Sequence, residues 1–273
     1  MRFRKMHGLG NDFVIFDARE ENLYLTPDDM ALIADRRWGV GCDLITVLDV
    51  SDKADVSAYF FNADGSESGA CGNATRCVAD IIMDESSKDN CTIQVGERVL
   101  TCSRKGELSV EVDMGVPELD WNKIPMNKEM DTLKLEGIEH GNLQAPVAVN
   151  MGNPHCVFFV DELDTLDVAE SGAYIETHDL FPERTNVEFV EVIDKTHLRQ
   201  KTWERGVGIT EACGSGACAV AVAAIRRELT ERKVDIQLDG GVLTIEWRED
   251  NGHVLMTGPV AYVFDGTLNE AQA

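Results

Sequence analysis

Glu67-Ser68-Gly69-Ala70-Cys71-Gly72-Asn73 and Glu211-Ala212-Cys213-Gly214-Ser215 are the two stretches whose reading decides this fold. The two cysteine-glycine turns lie 142 residues apart (71 to 213). The same offset carries Asn11 onto Asn153 and Asn62 onto Glu204, so an asparagine precedes each cysteine by 60 residues (11 to 71, 153 to 213). The pattern predicts a duplicated domain that sets one thiol on each side of a cleft. Two thiols facing one substrate carbon suit chemistry that removes a proton from one face and returns it to the other.

Outward from these turns, the chain reads as alternating strands and helices. Phe13–Phe16 and Val56–Phe61 are expected strands, rich in aromatic and β-branched residues. Thr26-Pro27-Asp28-Asp29 opens a helix expected to reach about Arg37, with a capping hydroxyl, a first-turn proline and acids at the positive end. After Cys71, apolar Ala74, Cys77, Val78, Ile81 and Ile82 recur at helical spacing. Pro117 to Pro125 is the expected linker, and the second half repeats the plan. Its last helix, expected over Gly214–Leu229, is apolar almost all round, which predicts burial on every side within a wrapped sheet.

Composition narrows the function classes. The 273 residues suit two domains of ordinary size. A net charge of −24 argues against nucleic-acid binding and against anionic membrane surfaces. No stretch approaches the apolar length of a membrane span, and the amino terminus lacks a signal-peptide pattern, so a cytoplasmic protein is expected. The eight cysteines are then expected as reduced thiols. None forms a Cys-x-x-Cys pair, so no metal site is expected.

Each of Cys71 and Cys213 immediately precedes a helix, with Gly72 or Gly214 directly after it. Free N–H groups and the positive helix end collect there. Two expectations follow: a lowered thiol pKa, and a cradle for a substrate carboxylate at Gly72-Asn73 and Gly214-Ser215. One cysteine acting as thiolate base and the other as thiol acid gives inversion at carbon, with preorganised donors holding the charge that develops.

At this point the sequence resembles the diaminopimelate epimerase family along nearly its whole length. The resemblance rests on Met6-His7-Gly8-Leu9-Gly10-Asn11-Asp12-Phe13, Phe61-Asn62-Ala63-Asp64-Gly65-Ser66 and Met151-Gly152-Asn153-Pro154-His155-Cys156. It continues through Phe181-Pro182-Glu183-Arg184-Thr185-Asn186, Glu204-Arg205-Gly206 and Ala212-Cys213-Gly214-Ser215-Gly216-Ala217-Cys218.

The resemblance implies a cofactor-independent epimerase of LL- and meso-2,6-diaminopimelate, serving lysine and peptidoglycan precursor synthesis. It implies an α/β (α+β) fold of two pseudo-symmetric domains, each a curled mixed sheet around a central helix. One domain would span residues 1–117 with 262–273 returning to it, the other residues 118–261. Cys71 would be the proton donor and Cys213 the acceptor in the LL-to-meso direction, supported by His155 and Glu204. Asn62, Asn153, Asn186 and Arg205 would grip the unreacting end of the substrate, and Asn11 would also line the site. Where the family usually carries a glutamine lining the substrate site, this chain has Leu44, which the internal offset pairs with Asn186 (44 to 186). A homodimer is implied, with Phe264 near its interface where a tyrosine is common. The competing readings are another two-cysteine amino-acid racemase on this fold, a binding or thiol-redox protein, and a metal-binding protein.

Overall fold

The computed structural model describes residues 1–20, 23–69 and 71–269. Ala70 of the first cysteine turn and the end of the returning segment therefore lie outside the described residues. The architecture is mixed α/β and dominated by strands. Unit 1 comprises Met1–Val112 with Thr257–Ala273, and unit 2 comprises Asp113–Met256.

In chain order, unit 1 opens with β1 (Arg2–Gly8), β2 (Asn11–Asp17), α1 (Pro27–Ala34), β3 (Leu44–Asp49), β4 (Val56–Asn62) and β5 (Glu67–Ser68). It continues with α2 (Gly72–Ser86), β6 (Asn90–Val95), β7 (Arg98–Gly106) and β8 (Ser109–Asp113). Then come β9 (Val147–Asn150), β10 (Pro154–Val160), α3 (Val168–Glu176), β11 (Asn186–Val192), β12 (His197–Glu204) and β13 (Gly208–Thr210). The chain ends with α4 (Gly214–Arg226), β14 (Lys233–Leu238), β15 (Gly241–Trp247), β16 (Val254–Pro259) and β17 (Ala261–Thr267). The chain returns to unit 1 within β16, and β17 pairs antiparallel with β1.

The sequence repeat is reproduced strand by strand. In unit 1, β2 and β3 are parallel with Phe13 opposite Leu44, and β3 and β4 are antiparallel with Ile45 opposite Phe61. In unit 2, β10 and β11 are parallel with His155 opposite Asn186, and β11 and β12 are antiparallel with Val187 opposite Trp203. Phe60 faces Ser68 as Thr202 faces Thr210. Each pair in unit 2 is its counterpart moved by 142 positions. The agreement ends one strand later: Val56 faces Ile93, whereas Leu198 faces Ile236, a slip of one residue.

The helices follow from their local sequences. α1 carries a full capping box between Thr26 and Asp29, with Pro27 in its first turn. It stops at Ala34, short of the expected Arg37, because the Asp35 carboxylate accepts the N–H groups of Arg37 and Trp38 and bends the chain out. α4 stops at Arg226 rather than Leu229. Glu228 takes a positive φ of 59°, and Leu229 N–H reaches back to the Ala224 carbonyl, the pattern of a left-handed helix cap. Residues 216–224 of α4 are all buried, and the helix packs on β9, β10, β11, β14 and β15.

Each unit has its own core. In unit 1, Phe3, Val14, Phe16, Met30, Ile33 and Ile45 pack together. In unit 2, Phe158 and Phe189 stack within a cluster that also holds Leu135, Ile175 and Phe181. Each such side chain stabilises the fold by roughly 1.5–3 kcal/mol on burial. Pro117 to Pro125 does not behave as a linker. Ile124 is buried in the core of unit 2, and Glu118 pairs through its backbone with Asn150.

Candidate active site

The two cysteines are themselves the N-caps of α2 and α4. Cys71 Sγ accepts from Ala74 N–H and Cys213 Sγ from Gly216 N–H, both at 3.4 Å. Both sulfurs therefore sit at positive helix ends, over the first-turn backbone of Gly72-Asn73 and Gly214-Ser215. Their surroundings then diverge.

In unit 1 two side-chain amides, Asn11 and Asn73, meet at the thiol. Cys71 Sγ donates to Asn11 Oδ1 at 3.6 Å, and Asn73 Nδ2 donates to the same oxygen at 3.2 Å. The orientation of Asn11 is fixed from behind, because its Nδ2 donates to Asp43 Oδ2 at 2.9 Å. Asp43 in turn accepts from Arg36 at 2.8 Å, and Arg36 grips Asp12 through both terminal nitrogens. Buried Lys5 completes the network on Asp12 and the Gly41 carbonyl. Burial works to raise the Asp12 carboxyl, but hydrogen bonds from Arg36 and Lys5 outweigh it and lower it to about 2. Leu44 is half-buried and stands opposite Asn62 in the β3–β4 register. Asn62 donates from Nδ2 to Ser66 Oγ.

In unit 2 the groups around the thiol ionise. His155 and Glu188 are both fully buried, with Nδ1 and Oε1 2.7 Å apart. A carboxylate only accepts, so it fixes a proton on Nδ1. Nε2 lies 2.9 Å from Asn153 Oδ1, so both ring nitrogens face oxygen atoms. Half-buried Glu204 accepts from Thr210 Oγ1 at 2.5 Å. Burial chiefly raises its carboxyl, with the Glu188 charge adding, while hydrogen bonds from Thr210 and Cys213 oppose the rise. Ser215 Oγ lies 3.6 Å from Cys213 Sγ.

The expected lowering of the thiol pKa is overturned at Cys213. Burial first, and then the charges of Glu204 and Glu188, push that thiol well above its ordinary value. The Ser215 and Gly216 hydrogen bonds act the other way and are outweighed. Helix-end placement is one influence on this thiol. Desolvation of a side chain that is 6% exposed is the larger one here.

Asn186 and Arg205 are brought together, but through backbone. Asn186 is buried, donates to the Pro154 carbonyl and accepts from Arg205 N–H. Its amide thereby ties β11 to the turn after β12. The exposed Arg205 side chain donates to the Glu183 carbonyl.

Sequence reasoning missed Asp43, Glu188, Gln200 and Thr210. Gln200 is buried, with Nε2 donating to Thr202 Oγ1 at 2.8 Å. Glu188 and Gln200 were readable only as members of strands, yet the 142-residue offset maps them onto Thr46 and Ala58 and marks them as points where the halves differ. A groove of about 1330 Å³ in unit 1, lined by Arg2, Arg4, Arg19 and Glu85 among others, holds none of these residues. Its Arg4 and Arg19 are already paired with Glu85 and Asp17.

The family model described as diaminopimelate epimerase matches residues 3–119 and 147–263. A diaminopimelate epimerase from Rhodospirillum centenum is 52% identical over 98% of this chain and 92% of its own length. One from Acidiphilium cryptum is 51% identical over 98% of this chain and 96% of its own. Among solved structures, a phenazine biosynthesis protein from Bacillus anthracis superposes with a TM-score of 0.68 at 15% identity, covering 97% of this chain and 98% of its own. A hydroxyproline epimerase from Agrobacterium vitis does so with a TM-score of 0.66 at 12% identity, covering 97% and 91%. These two share the fold.

Proposed function

The chain belongs to the diaminopimelate epimerase family, and on that premise we propose that it interconverts LL- and meso-2,6-diaminopimelate by a cofactor-independent, two-base mechanism. The observation that carries this reading is the pair of cysteine N-caps on equivalent helices, each sulfur over a glycine-containing first turn. In the LL-to-meso direction Cys213, as thiolate, takes the Cα proton and Cys71 delivers one to the opposite face. The reverse direction exchanges the roles. The reacting carboxylate binds at the N–H groups of Gly72-Asn73 and Gly214-Ser215. His155 and Glu204 support the reaction at Cys213. Asn11, Asn62, Asn153, Asn186 and Arg205 position the substrate.

We place the enzyme in lysine and peptidoglycan precursor synthesis in the cytoplasm. No helix of the described residues is long and apolar enough to cross a membrane. We also propose a homodimer with Phe264 near its interface. Phe264 is 50% exposed on β17 and packs edge-on against Phe3.

The test is stereochemical analysis of LL-diaminopimelate incubated with pure protein and no added cofactor. Appearance of the meso isomer with solvent deuterium at Cα is the expected result. Inertness toward diaminopimelate alongside turnover of proline or hydroxyproline would reassign the substrate.

Leu44 gives a finer test. Its place opposite Asn62 supports putting it beside the substrate, where it offers no amide. Leu44→Gln is expected to keep the fold and to raise kcat/KM for diaminopimelate roughly two- to tenfold, the worth of one net hydrogen bond at about 0.5–1.5 kcal/mol. Unchanged kinetics with a lower melting temperature would make Leu44 a packing residue instead.

A further inference from the structure

The two halves share strand registers but not the interior behind their cysteines. Moving His155, Glu188, Gln200 and Thr202 back by 142 positions gives Phe13, Thr46, Ala58 and Phe60. All eight are buried. At these four strand positions unit 1 is mostly apolar and unit 2 carries groups that hydrogen-bond or ionise; the buried charges Arg76 and Asp80 of unit 1 lie on α2 instead.

A buried carboxylate is a poor way to stabilise a protein. Its desolvation costs several kcal/mol, and well-packed apolar residues do as well or better. Unit 1 shows that these strand registers form without one. Glu188 is fully buried, only its Oε1 is engaged, by His155, and Oε2 has no hydrogen-bond partner among the described residues. A Cβ built on Gly216 would lie 2.8 Å from Glu188 Oε1 and 3.3 Å from Cys213 Cβ, so carboxylate and thiol side chain border one small space.

We propose that Glu188 is a positioning residue that acts on the proton of Cys213, through its own charge and through the His155 ring that it holds. It holds the Nδ1 proton of His155, which fixes the ring against Asn153. Its negative charge opposes formation of a second negative charge on Cys213, in the same sense as Glu204. The titratable groups that face this space are His155 on β10, Glu188 on β11, Glu204 on β12 and Cys213 at the start of α4; Cys156, also on β10, feels the Glu188 charge as well. The catalytic consequence rests on the two-base reading above, whereas the effect on the thiol does not.

The experiment is site-resolved alkylation with iodoacetamide, quantified by peptide mass spectrometry across pH, for the wild type, Glu188→Gln and Glu188→Thr. Glutamine keeps the shape and removes the charge; threonine installs the residue that unit 1 carries. The expected result is Cys213 alkylation about tenfold faster at a fixed pH below its midpoint, equivalent to about one pH unit, with Cys71 unchanged. An unchanged Cys213 rate in cooperatively folded variants overturns the proposal. So does an equal acceleration of Cys71 and Cys213, which would report general loosening. If glutamine prevents folding, threonine decides by the same criterion; if neither folds, Glu188 is structural and the proposal fails. Diaminopimelate is absent from the assay, so failure of the epimerase reading would show separately, in wild-type turnover.

Discussion

Cys71→Ala and Cys213→Ala are each expected to abolish interconversion of LL- and meso-diaminopimelate, with losses of at least 10²–10⁴-fold from removal of a general acid or base. Inversion needs a proton donor and a proton acceptor on opposite faces, and a single residue can only return a proton to the face it came from. Each mutant retains the other thiol, so slow one-sided exchange of Cα–H with solvent deuterium is expected to persist without inversion. Each cysteine is also a helix cap, and losing a cap destabilises by about 0.5–2 kcal/mol. Cys→Ser at either position separates the two effects. A hydroxyl caps at least as well as a thiol but ionises far less readily, so almost no anionic base forms, and the serine variants should melt near the wild type and still fail to epimerise. Steady-state assays in both directions, beside melting curves, check this. Near-wild-type epimerisation by either alanine mutant would overturn the two-base reading.

The parts of the fold that could be read from sequence are those whose cause is local. Thr26-Pro27-Asp28-Asp29 announces a capped helix and forms one. The run from Ala217 to Ala224 announces a helix with no polar face, and it is buried throughout. The cysteine-glycine turns announce helix starts, and both cysteines cap helices. What escaped depends on distant partners. Strand β1 reads Arg-Phe-Arg-Lys-Met-His-Gly, too basic to suggest a buried strand. Its Lys5 is buried because Asp12 and the Gly41 carbonyl are waiting for it. In β11 the acids Glu188 and Glu191 look alike, yet Glu191 meets Arg199 near the surface while Glu188 is sealed against His155. The direction of the Cys213 shift escaped for the same reason. A helix end is visible in sequence, whereas two carboxylates converging from other strands are not.

Gly216→Ala is expected to damage both stability and turnover, and the sign of its effect on stability is itself diagnostic. Within a helix, alanine normally stabilises by up to about 1 kcal/mol over glycine. The equivalent position in unit 1 is in fact an alanine, Ala74 (74 to 216), fully buried in the first turn of α2. It can be accommodated there because Thr46 and Ala58 occupy the places of Glu188 and Gln200. In unit 2 the added methyl would lie 2.8 Å from Glu188 Oε1 and 3.2 Å from Gln200 Nε2. Neither can swing aside cheaply, since Glu188 is fully buried on His155 and Gln200 is buried on Thr202. Either the first turn of α4 lifts, taking Cys213 with it, or Glu188 leaves His155. Overpacking of this kind costs about 1–3 kcal/mol, and a displacement near 1 Å at a reacting group costs on the order of 10²-fold in rate. The variant should therefore melt below the wild type and lose about two orders of magnitude in kcat. Adding Glu188→Thr restores the Thr46 side of the Ala74 surroundings and removes the closer of the two contacts, leaving Gln200 Nε2 at 3.2 Å. The double variant should regain most of the lost melting temperature while turnover stays low, because the partner of His155 is gone. A Gly216→Ala protein that melts at or above the wild-type temperature and turns over normally would show that Glu188 and the Cys213 turn are not in the close contact from which both expectations are drawn.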